Sequence, residues 1–252
     1  MNWIKHKIRN GLYRLLRALV GSGKGVRVIL LYHSVSKDAP EISYRGSCED
    51  FKNQIAFLCV NFKVVLCNLA HTIQSASSNT NIAVVTFDEG CLDNYEVGLP
   101  ILEHFGIKAT FFVIAGYIGK SFQTSSGTIR LMERRQIQEL HLLGHEIGAH
   151  TMSHVKLTQI PITKVCEEVQ RSKQLLEDLI GYEVLSFAYP KGAYNKQVKQ
   201  EVARAGFRYA VTVQEGLISK NPDWLALPRI WISSLFKFFC IYSKSFTSCG
   251  IL

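Results

Sequence analysis

No apolar run in the 252-residue sequence reaches the roughly 18 residues that a membrane-spanning helix needs. The N-terminal region also lacks the clean apolar run and the small-residue cleavage site of a secretory signal, because Arg14 and Arg17 interrupt it. We therefore expect a cytoplasmic chain that has neither a signal peptide nor a transmembrane helix.

Paired cysteines are missing as well. The seven cysteines are scattered along the chain and form no CxxC pair of the kind that binds zinc or performs redox chemistry. An odd number of dispersed cysteines is typical of reduced, partly buried thiols, which agrees with a cytoplasmic location.

Acidic residues are absent from residues 1–27, which hold seven of the nine excess positive charges of the chain. On a helical wheel, the leucines and isoleucines of this segment fall on one face and most basic residues on the other. Two interpretations stay open: peripheral attachment to the inner membrane face, or an ordinary surface helix packed on its own domain. The absence of acidic residues favours attachment to the membrane.

Residues 28–252 form the predicted folded domain. The sequence contains no recognisable nucleic-acid-binding module, so we do not expect nucleic-acid binding.

Short apolar runs alternate with longer helical patterns along that domain. The runs predict about seven strands, including residues 82–87, 146–149 and 184–188, and the intervening patterns predict helices such as 94–104 and 164–180. Strands that are apolar on both faces are typical of a buried parallel sheet. The pattern predicts an α/β fold without distinguishing a barrel from a doubly wound sheet.

Polar residues follow three of the predicted strands. VVTFDEG ends a strand on Asp88 and Glu89, EIGA is followed by His150, and LSFA is followed by YPKGAY. In parallel α/β folds the carboxyl ends of the strands meet at one rim, which carries the functional residues. A charged strand end at the solvent would explain Asp88 and Glu89 alone, but three polar clusters at three strand ends favour a functional rim.

The stretch HTMSH places His150 and His154 four residues apart, which lets both imidazoles face one cation. His141 and His145 share this spacing but have no evident carboxylate partner, and we interpret them as structural. A carboxylate from the neighbouring strand end would complete a metal site that leaves positions open for water and substrate. A second carboxylate beside it would take a proton from the water.

In this order, the motifs resemble those of polysaccharide deacetylases of the NodB-homology type, carbohydrate esterase family four. TFDEGCLDNYEVGLPILEHFGIKATFFV resembles the first motif of that family, GHEIGAHTMSHVKL the second and SFAYPKGAYN the third. ILLYHSVS is similar to the start of a subgroup that includes extracellular poly-N-acetylglucosamine deacetylases. The similarity covers residues 28–231.

The resemblance implies a distorted parallel (β/α)7 barrel and a metal-dependent hydrolase that removes N-acetyl groups from an amino sugar in a glycan or glycan precursor. The implied cofactor is a divalent metal, zinc before cobalt or nickel, and the implied partner is the N-acetylated sugar or glycan. By position, Asp88 resembles the catalytic base, and Glu89, His150 and His154 resemble the metal ligands. The backbone N–H of Lys191 resembles the donor that helps to hold the oxyanion.

Three positions depart from the pattern of that family. Glu89 stands where aspartate is usual, so its carboxylate is displaced by one methylene. No histidine follows His154 to protonate the leaving amine, so His33 is the candidate catalytic acid, with a structural histidine at a strand end as the alternative. The catalytic aspartate, once protonated, is a second candidate. Ala188 replaces an arginine that steadies that aspartate, and Arg229 is the candidate to supply the charge.

Other predicted substrate contacts lie in YPKGAY, after the third of these strands, and in LPRIWI. Tyr189 is predicted to stack on a sugar face, with a half-buried wall residue as the alternative. Lys191 and Arg229 join it as predicted substrate-binding residues, although Arg229 also reads as an exposed arginine at a strand edge. Trp231 is interpreted as a core residue. The acid-free tail, residues 233–252, resembles nothing that assigns it a role.

Two further functions stay open. The same machinery would serve an N-acyl or formyl amide hydrolase with another substrate, and a catalytically inactive homologue would act as a binding protein. Glu89 and the absent late histidine favour inactivity, whereas the retained Asp88, His150 and His154 argue against it.

Overall fold

The computed structural model describes residues 25–36, 45–67, 79–124 and 127–232. Almost all of the predicted amphipathic segment 1–27 and the whole tail 233–252 lie outside these residues, so the predictions about them stay predictions. No helix in the described ranges is long and apolar enough to cross a membrane.

A sheet of parallel strands forms the centre of the fold. The twelve strands of the described residues are β1 (Arg27–Tyr32), β2 (Ser34–Ser36), β3 (Arg45–Ser47), β4 (Lys63–Val65), β5 (Ile82–Phe87), β6 (Thr110–Val113), β7 (Ser121–Thr124), β8 (Gly127–Arg130), β9 (Glu146–Ala149), β10 (Ser186–Ala188), β11 (Tyr209–Val211) and β12 (Ile230–Trp231). The main sheet runs β11-β10-β9-β6-β5-β1-β12, and β4 also pairs with β5. Every pairing within it is parallel, whereas β7 and β8 form an antiparallel hairpin beside it.

The last strand brings the two ends of this sheet together. Residues of β12 pair with β1, while Thr212, just beyond β11, donates its N–H to the carbonyl of Leu227 at 2.9 Å. The N–H of Arg229 also donates to the carbonyl of Gln214 at 2.9 Å. Residues 227–231 therefore connect β11 to β1, and the predicted distorted barrel is confirmed.

Helices connect the strands. In the described part of the chain, the α-helices are α1 (Cys48–Asn61), α2 (Leu99–His104), α3 (Arg134–Leu142), α4 (Ile162–Ile180) and α5 (Lys196–Arg204). Local capping explains where they begin and end: Ser47 accepts the N–H of Asp50 at the start of α1, and Gly181 ends α4 in the left-handed conformation that favours glycine. The helix predicted over residues 94–104 begins as a π-helical turn, Asn94–Gly98, before α2.

Alternate side chains of β5 enter two separate apolar clusters. Ala83 and Val85 pack outward with the helices, whereas Ile82 and Val84 pack inside the barrel. Because successive side chains of a strand point to opposite faces, Asp88 continues the inner face at the carboxyl end of β5. The fold thus directs the first predicted catalytic residue into the mouth of the barrel.

Candidate functional site

A cavity of about 500 Å³ lies at the carboxyl ends of β1, β5, β9 and β10. It contains six of the eight predicted site residues, and only Tyr189 and Arg229 of that set are not part of its lining. The lining residues are His33, Asp88, Glu89, Phe122, Gln123, Thr124, His150, His154, Lys191, Val213 and Trp231.

Asp88 forms a buried bidentate ion pair with Arg229. The two guanidinium nitrogens Nη1 and Nη2 of Arg229 donate to Oδ1 and Oδ2 of Asp88 at 2.7 and 2.6 Å. The side chain of Asp88 is 3% exposed and that of Arg229 is 0% exposed. Arg229 is itself fixed, because Nε donates to the carbonyl of Thr212 at 2.8 Å and Nη1 to Oγ1 of Thr86 at 3.1 Å. Burial raises the pKa of Asp88, but the charge and hydrogen bonds of Arg229 outweigh it and hold that pKa well below its usual range. Asp88 is therefore ionised and fixed in orientation.

The position of Arg229 corrects one prediction. Its side chain lies beneath the cavity and not in its wall, so the prediction that Arg229 contacts the substrate is wrong. The ion pair with Asp88 uses both ends of the guanidinium fork, which leaves no free face for a ligand. Its charge instead lies beside Asp88, where the sequence predicted that Arg229 would replace the arginine that is missing at position 188.

His150 and His154 face each other across the cavity, with ring centroids 4.8 Å apart. Nδ1 of His150 lies 2.7 Å from the carbonyl oxygen of Ala188. A carbonyl only accepts, so Nδ1 carries the proton and the lone pair of Nε2 is free. Burial lowers the pKa of both imidazoles, that of His154 to about 3, so both rings are neutral at pH 7. Neutral imidazole with a fixed tautomer is the form that binds a metal ion.

Glu89 is held differently from this pair. Its backbone has a left-handed φ of 73°, and its Oε2 lies 3.8 Å from Sγ of Cys91. Burial, reinforced by the charge of Asp88, raises the pKa of Glu89 to about 7. The structure thus places Glu89 in the cavity wall with a thiol as its hydrogen-bonding neighbour.

The chemistry of these donors fits a divalent cation, although the full set is not gathered. In the described ranges, no group of three or more His, Cys, Asp and Glu side chains is arranged to hold a metal ion. Two neutral imidazoles and a carboxyl group in one cavity are nevertheless the donors that zinc prefers. His150 and His154 already form a pair, and Glu89 is the ligand that would have to turn toward them.

His33 and Trp231 form another wall of the cavity, with ring centroids 5.4 Å apart. Burial lowers the pKa of His33 to about 4, and the charge of Arg229 adds to this while that of Asp88 opposes it. His33 is therefore neutral at pH 7. Its predicted role as the catalytic acid stays a prediction.

The positions of Trp231 and Tyr189 are the reverse of those predicted: Trp231 lines the cavity and Tyr189 lies in the core. Trp231, predicted to be core, lines the cavity, because its neighbours Ile230 and Ile232 take the outward core positions of the alternation. Tyr189, predicted to stack on a sugar, is fully buried. Its hydroxyl donates to the carbonyl of Leu225 at 2.9 Å. Both predictions are wrong because successive side chains along an extended chain point to opposite faces, and the sequence did not show which face each residue takes.

Lys191 lies at the mouth of the cavity, in the turn Pro190–Gly192 that follows β10. Its side chain is exposed and its backbone has a left-handed φ of 57°. A Cβ on Gly192 would lie 2.4 Å from Cγ2 of Val213, so glycine is required there for the turn to approach residue 213. The oxyanion role of the Lys191 N–H stays a prediction.

The hairpin β7–β8 supplies residues that the sequence reasoning missed. Phe122, Gln123 and Thr124 line the cavity, and the ring of Phe122 meets that of His154 edge-on with centroids 5.3 Å apart. The signal for them was the SFQT and GTIR segments on either side of two serines, a turn-like pattern between short strands.

The second histidine pair lies outside the cavity, as interpreted. Nδ1 of His145 accepts the N–H of Ala109 at 3.1 Å, and its Nε2 lies 3.0 Å from Oε1 of Glu103. His141 packs near the ring of Tyr182. Both nitrogens of His145 are thus used in holding β6 and α2 together.

Comparisons with known proteins identify relatives of this chain. YxkH of Bacillus subtilis, whose name includes the term polysaccharide deacetylase, is 27% identical over 208 residues. The match covers 81% of this chain and 71% of YxkH. Peptidoglycan-N-acetylglucosamine deacetylase PgdA of Listeria monocytogenes is 29% identical over 156 residues, which is 59% of this chain but only 31% of PgdA.

A solved structure and a family model complete the comparison. The structure of the deacetylase PplD of Streptococcus pyogenes, in complex with acetate, superposes with a TM-score of 0.74 at 26% identity and covers 84% of this chain and 94% of PplD. The family model described as polysaccharide deacetylase matches residues 75–210, more than half of the sequence. The matched range includes Asp88, Glu89, His150 and His154. The chain therefore belongs to the polysaccharide deacetylase family.

Proposed function

We propose that this chain is a hydrolase that removes the N-acetyl group from an amino sugar of a glycan or glycan precursor. The observation that carries the proposal is the ionised Asp88, fixed by Arg229, in one cavity with a pair of neutral histidines. The name of PgdA supports an N-acetylglucosamine-containing glycan as the substrate class.

Family members generally depend on a metal ion, and we assign this role to His150, His154 and Glu89 with zinc as the first candidate, before cobalt or nickel. The two histidines supply neutral nitrogen donors, and Glu89 supplies the negative charge. A bound divalent ion would contribute Lewis-acid activation of water and of the amide carbonyl.

The residues of the chain then account for the proton transfers. Asp88 accepts a proton from the attacking water while the oxygen of that water bonds to the amide carbon. The N–H of Lys191 stabilises the negative charge that develops on the carbonyl oxygen. When the C–N bond breaks, the proton passes from Asp88 to the leaving nitrogen, either directly or through His33, which is neutral and would accept it from Asp88 before passing it on. The products are a carboxylate and a free amine on the sugar.

Amine release from defined substrates tests the proposal. The purified full chain, loaded with zinc, is incubated with N-acetylglucosamine oligomers and peptidoglycan fragments, and in parallel with the N-formyl analogues. Release of acetate with an equal amount of sugar amine supports the deacetylase. Faster turnover of the formyl analogues would identify the alternative amide hydrolase, and no release from any of them would contradict both.

The metal content of histidine variants is a first prediction. We expect the wild-type chain, purified without chelator, to carry about one zinc, cobalt or nickel ion, because catalytic sites of this donor type bind one ion. His150→Ala and Glu89→Ala should lose it, as measured by elemental analysis. His141→Ala, which changes a histidine outside the cavity, is the matched control and should retain it. A wild-type chain that binds no metal ion even after loading would contradict the proposal of a metal-dependent hydrolase.

One observation favours a second candidate, a binding protein without catalysis. In the part of the chain that the structure describes, Glu89 is not arranged with the two histidines to hold a metal ion. Loss of metal in Glu89→Ala would show that Glu89 turns toward the histidines and would remove the observation that favours this candidate, and amine release by the wild-type chain would exclude it.

A second prediction concerns the wall formed by Trp231. Trp231→Ala should raise KM for a glycan substrate about 2- to 10-fold and change kcat less, because an aromatic contact contributes about 0.5–1.5 kcal/mol beyond its buried area. Steady-state kinetics on the same oligomers measures this. Trp224→Ala, which changes a tryptophan that is not part of the cavity wall, is the control. An unchanged KM in Trp231→Ala would show that the sugar does not contact this wall.

A further inference from the structure

The loop that carries the histidine pair, residues 150–154, has an uncommon backbone conformation. Thr151 and His154 have φ values of 64° and 58°. Residues with a side chain adopt this left-handed region rarely, and a strained backbone persists only where its surroundings hold it. The position of the His154 imidazole therefore depends on contacts that fix this loop.

The loop after β6 holds one side of it. The N–H groups of Ala115 and Gly116 donate to the carbonyls of Thr151 and Met152, both at 3.0 Å. A Cβ on Gly116 would lie 2.4 Å from the carbonyl oxygen of Met152, so a residue without a side chain is needed for this approach. These bonds fix the carbonyls of the loop but leave its N–H groups to other partners.

The N–H of His154 donates to Oγ1 of Thr151 at 2.9 Å, and two other N–H groups of the loop donate to Glu168, on α4. Its Oε2 accepts from the N–H of Met152 and the N–H of Ser153, each at 2.9 Å. Its Oε1 accepts from the hydroxyl of Ser153 at 2.6 Å. One carboxylate thus makes three charge-assisted hydrogen bonds to the two residues that precede His154, and such bonds are stronger than those between neutral groups.

We propose that Glu168 is a positioning residue of the metal site. By fixing Met152 and Ser153, it holds His154 in its strained conformation, where the imidazole faces His150. Glu168 does not line the cavity, so it acts only through the loop. The inference rests on the proposed function, because the histidine pair is there the core of the metal site.

Metal affinity separates this role from a general structural one. Zinc dissociation constants of the full chain are measured by competition with a chromophoric chelator, and the visible spectrum of the cobalt form reports the ligand geometry. Glu168→Ala should bind zinc about 10-fold or more weakly, because removal of residues that support metal ligands typically costs 10- to 100-fold in affinity. Glu168→Gln should restore most of it, since an amide oxygen still accepts both N–H groups.

Glu167 provides a matched control on the same helix. It forms surface ion pairs with Lys164 and Arg171, and Glu167→Ala should bind zinc as tightly as wild type. If Glu168→Ala does not fold, Glu168→Asp keeps the charge but is shorter by one methylene, and it should also bind more weakly.

Thermal unfolding of the metal-free variants completes the test. A lowered Tm with wild-type zinc affinity in Glu168→Ala or Glu168→Asp would overturn the positioning role and leave the proposed function intact. Failure of the wild-type chain to bind zinc would overturn both. Weak binding in Glu168→Ala together with a changed cobalt spectrum and recovery in Glu168→Gln supports the proposal.

Discussion

Arg229→Met should destabilise the folded chain by about 3–5 kcal/mol, because it leaves a buried carboxylate without its partner. Both oxygens of Asp88 accept from Arg229, whose own side chain is 0% exposed, so bulk water does not reach the side of the carboxylate that loses its hydrogen bonds. Urea unfolding at pH 7, followed by circular dichroism, measures the change. We expect the free energy of unfolding of Arg229→Lys to lie between those of the wild type and Arg229→Met, since an ammonium group keeps the charge but cannot donate in the same two-pronged geometry.

The pH dependence of this difference has a defined sign. In the wild-type chain the pKa of Asp88 lies below its ordinary value of about 3.9. The ion pair therefore stabilises the fold fully above about pH 4, and this stabilisation is lost as the pH falls toward the lowered pKa. In Arg229→Met, burial is no longer opposed and raises that pKa above its ordinary value, so Asp88 of the variant takes up a proton at a higher pH than Asp88 of the wild type. The difference in stability between the two proteins should therefore be largest above the raised pKa and shrink as the pH falls from there toward the lowered pKa of the wild type.

Arg204 provides the control for this experiment. It forms an ion pair with Glu201 on the surface of α5, with 69% of its own side chain exposed. Surface pairs contribute about 0–1 kcal/mol, so Arg204→Met should unfold nearly as the wild type does. Equal effects of Arg229→Met and Arg204→Met would contradict the view that the ion pair of Asp88 and Arg229 is buried.

The sequence predicted the strands of the barrel best where they are buried on both faces. The bounds of β5 and β9 agree with their predicted ranges because both strands are buried along their whole length and each is followed directly by a polar residue, Asp88 or His150. It gave no range for β12, which has two residues and hence no periodicity. It also missed the hairpin β7–β8, whose strands alternate between exposed and half-buried residues and contribute little to the apolar pattern.

The candidate site follows the same division. Asp88, His150 and His154 follow strands whose ends were predicted correctly, so their motifs and the strand-end rule together placed them in one cavity. Trp231 and Tyr189 were assigned the wrong sides because a shift of one position along a strand reverses the direction of its side chain. Arg229 contacts Asp88 across 141 positions of sequence. That contact exists only because the segment before β12 closes the barrel, which no local pattern reports.

Asp88→Asn should lower kcat for amide hydrolysis about 10²- to 10⁴-fold, the range that a positioned general base contributes. Asparagine keeps the shape of the side chain but cannot take the proton of the attacking water. Metal content should be retained, because Asp88 is not one of the proposed ligands, and elemental analysis of the same preparation verifies this. Asp223→Asn, which removes a surface carboxylate paired with Lys199, should retain wild-type kcat.

The double variant Asp88→Asn with Arg229→Met separates catalysis from stability. Either single change leaves one buried charge without a partner, whereas the double change removes both charges and the desolvation penalty with them. The double variant should therefore be more stable than the sum of the two single effects predicts, by about 0.5–3 kcal/mol, the range of coupling between residues in contact. Its kcat should nevertheless stay as low as that of Asp88→Asn, since no base is restored. Recovery of kcat together with stability would mean that Asp88 serves the fold and that another group in the cavity takes the proton.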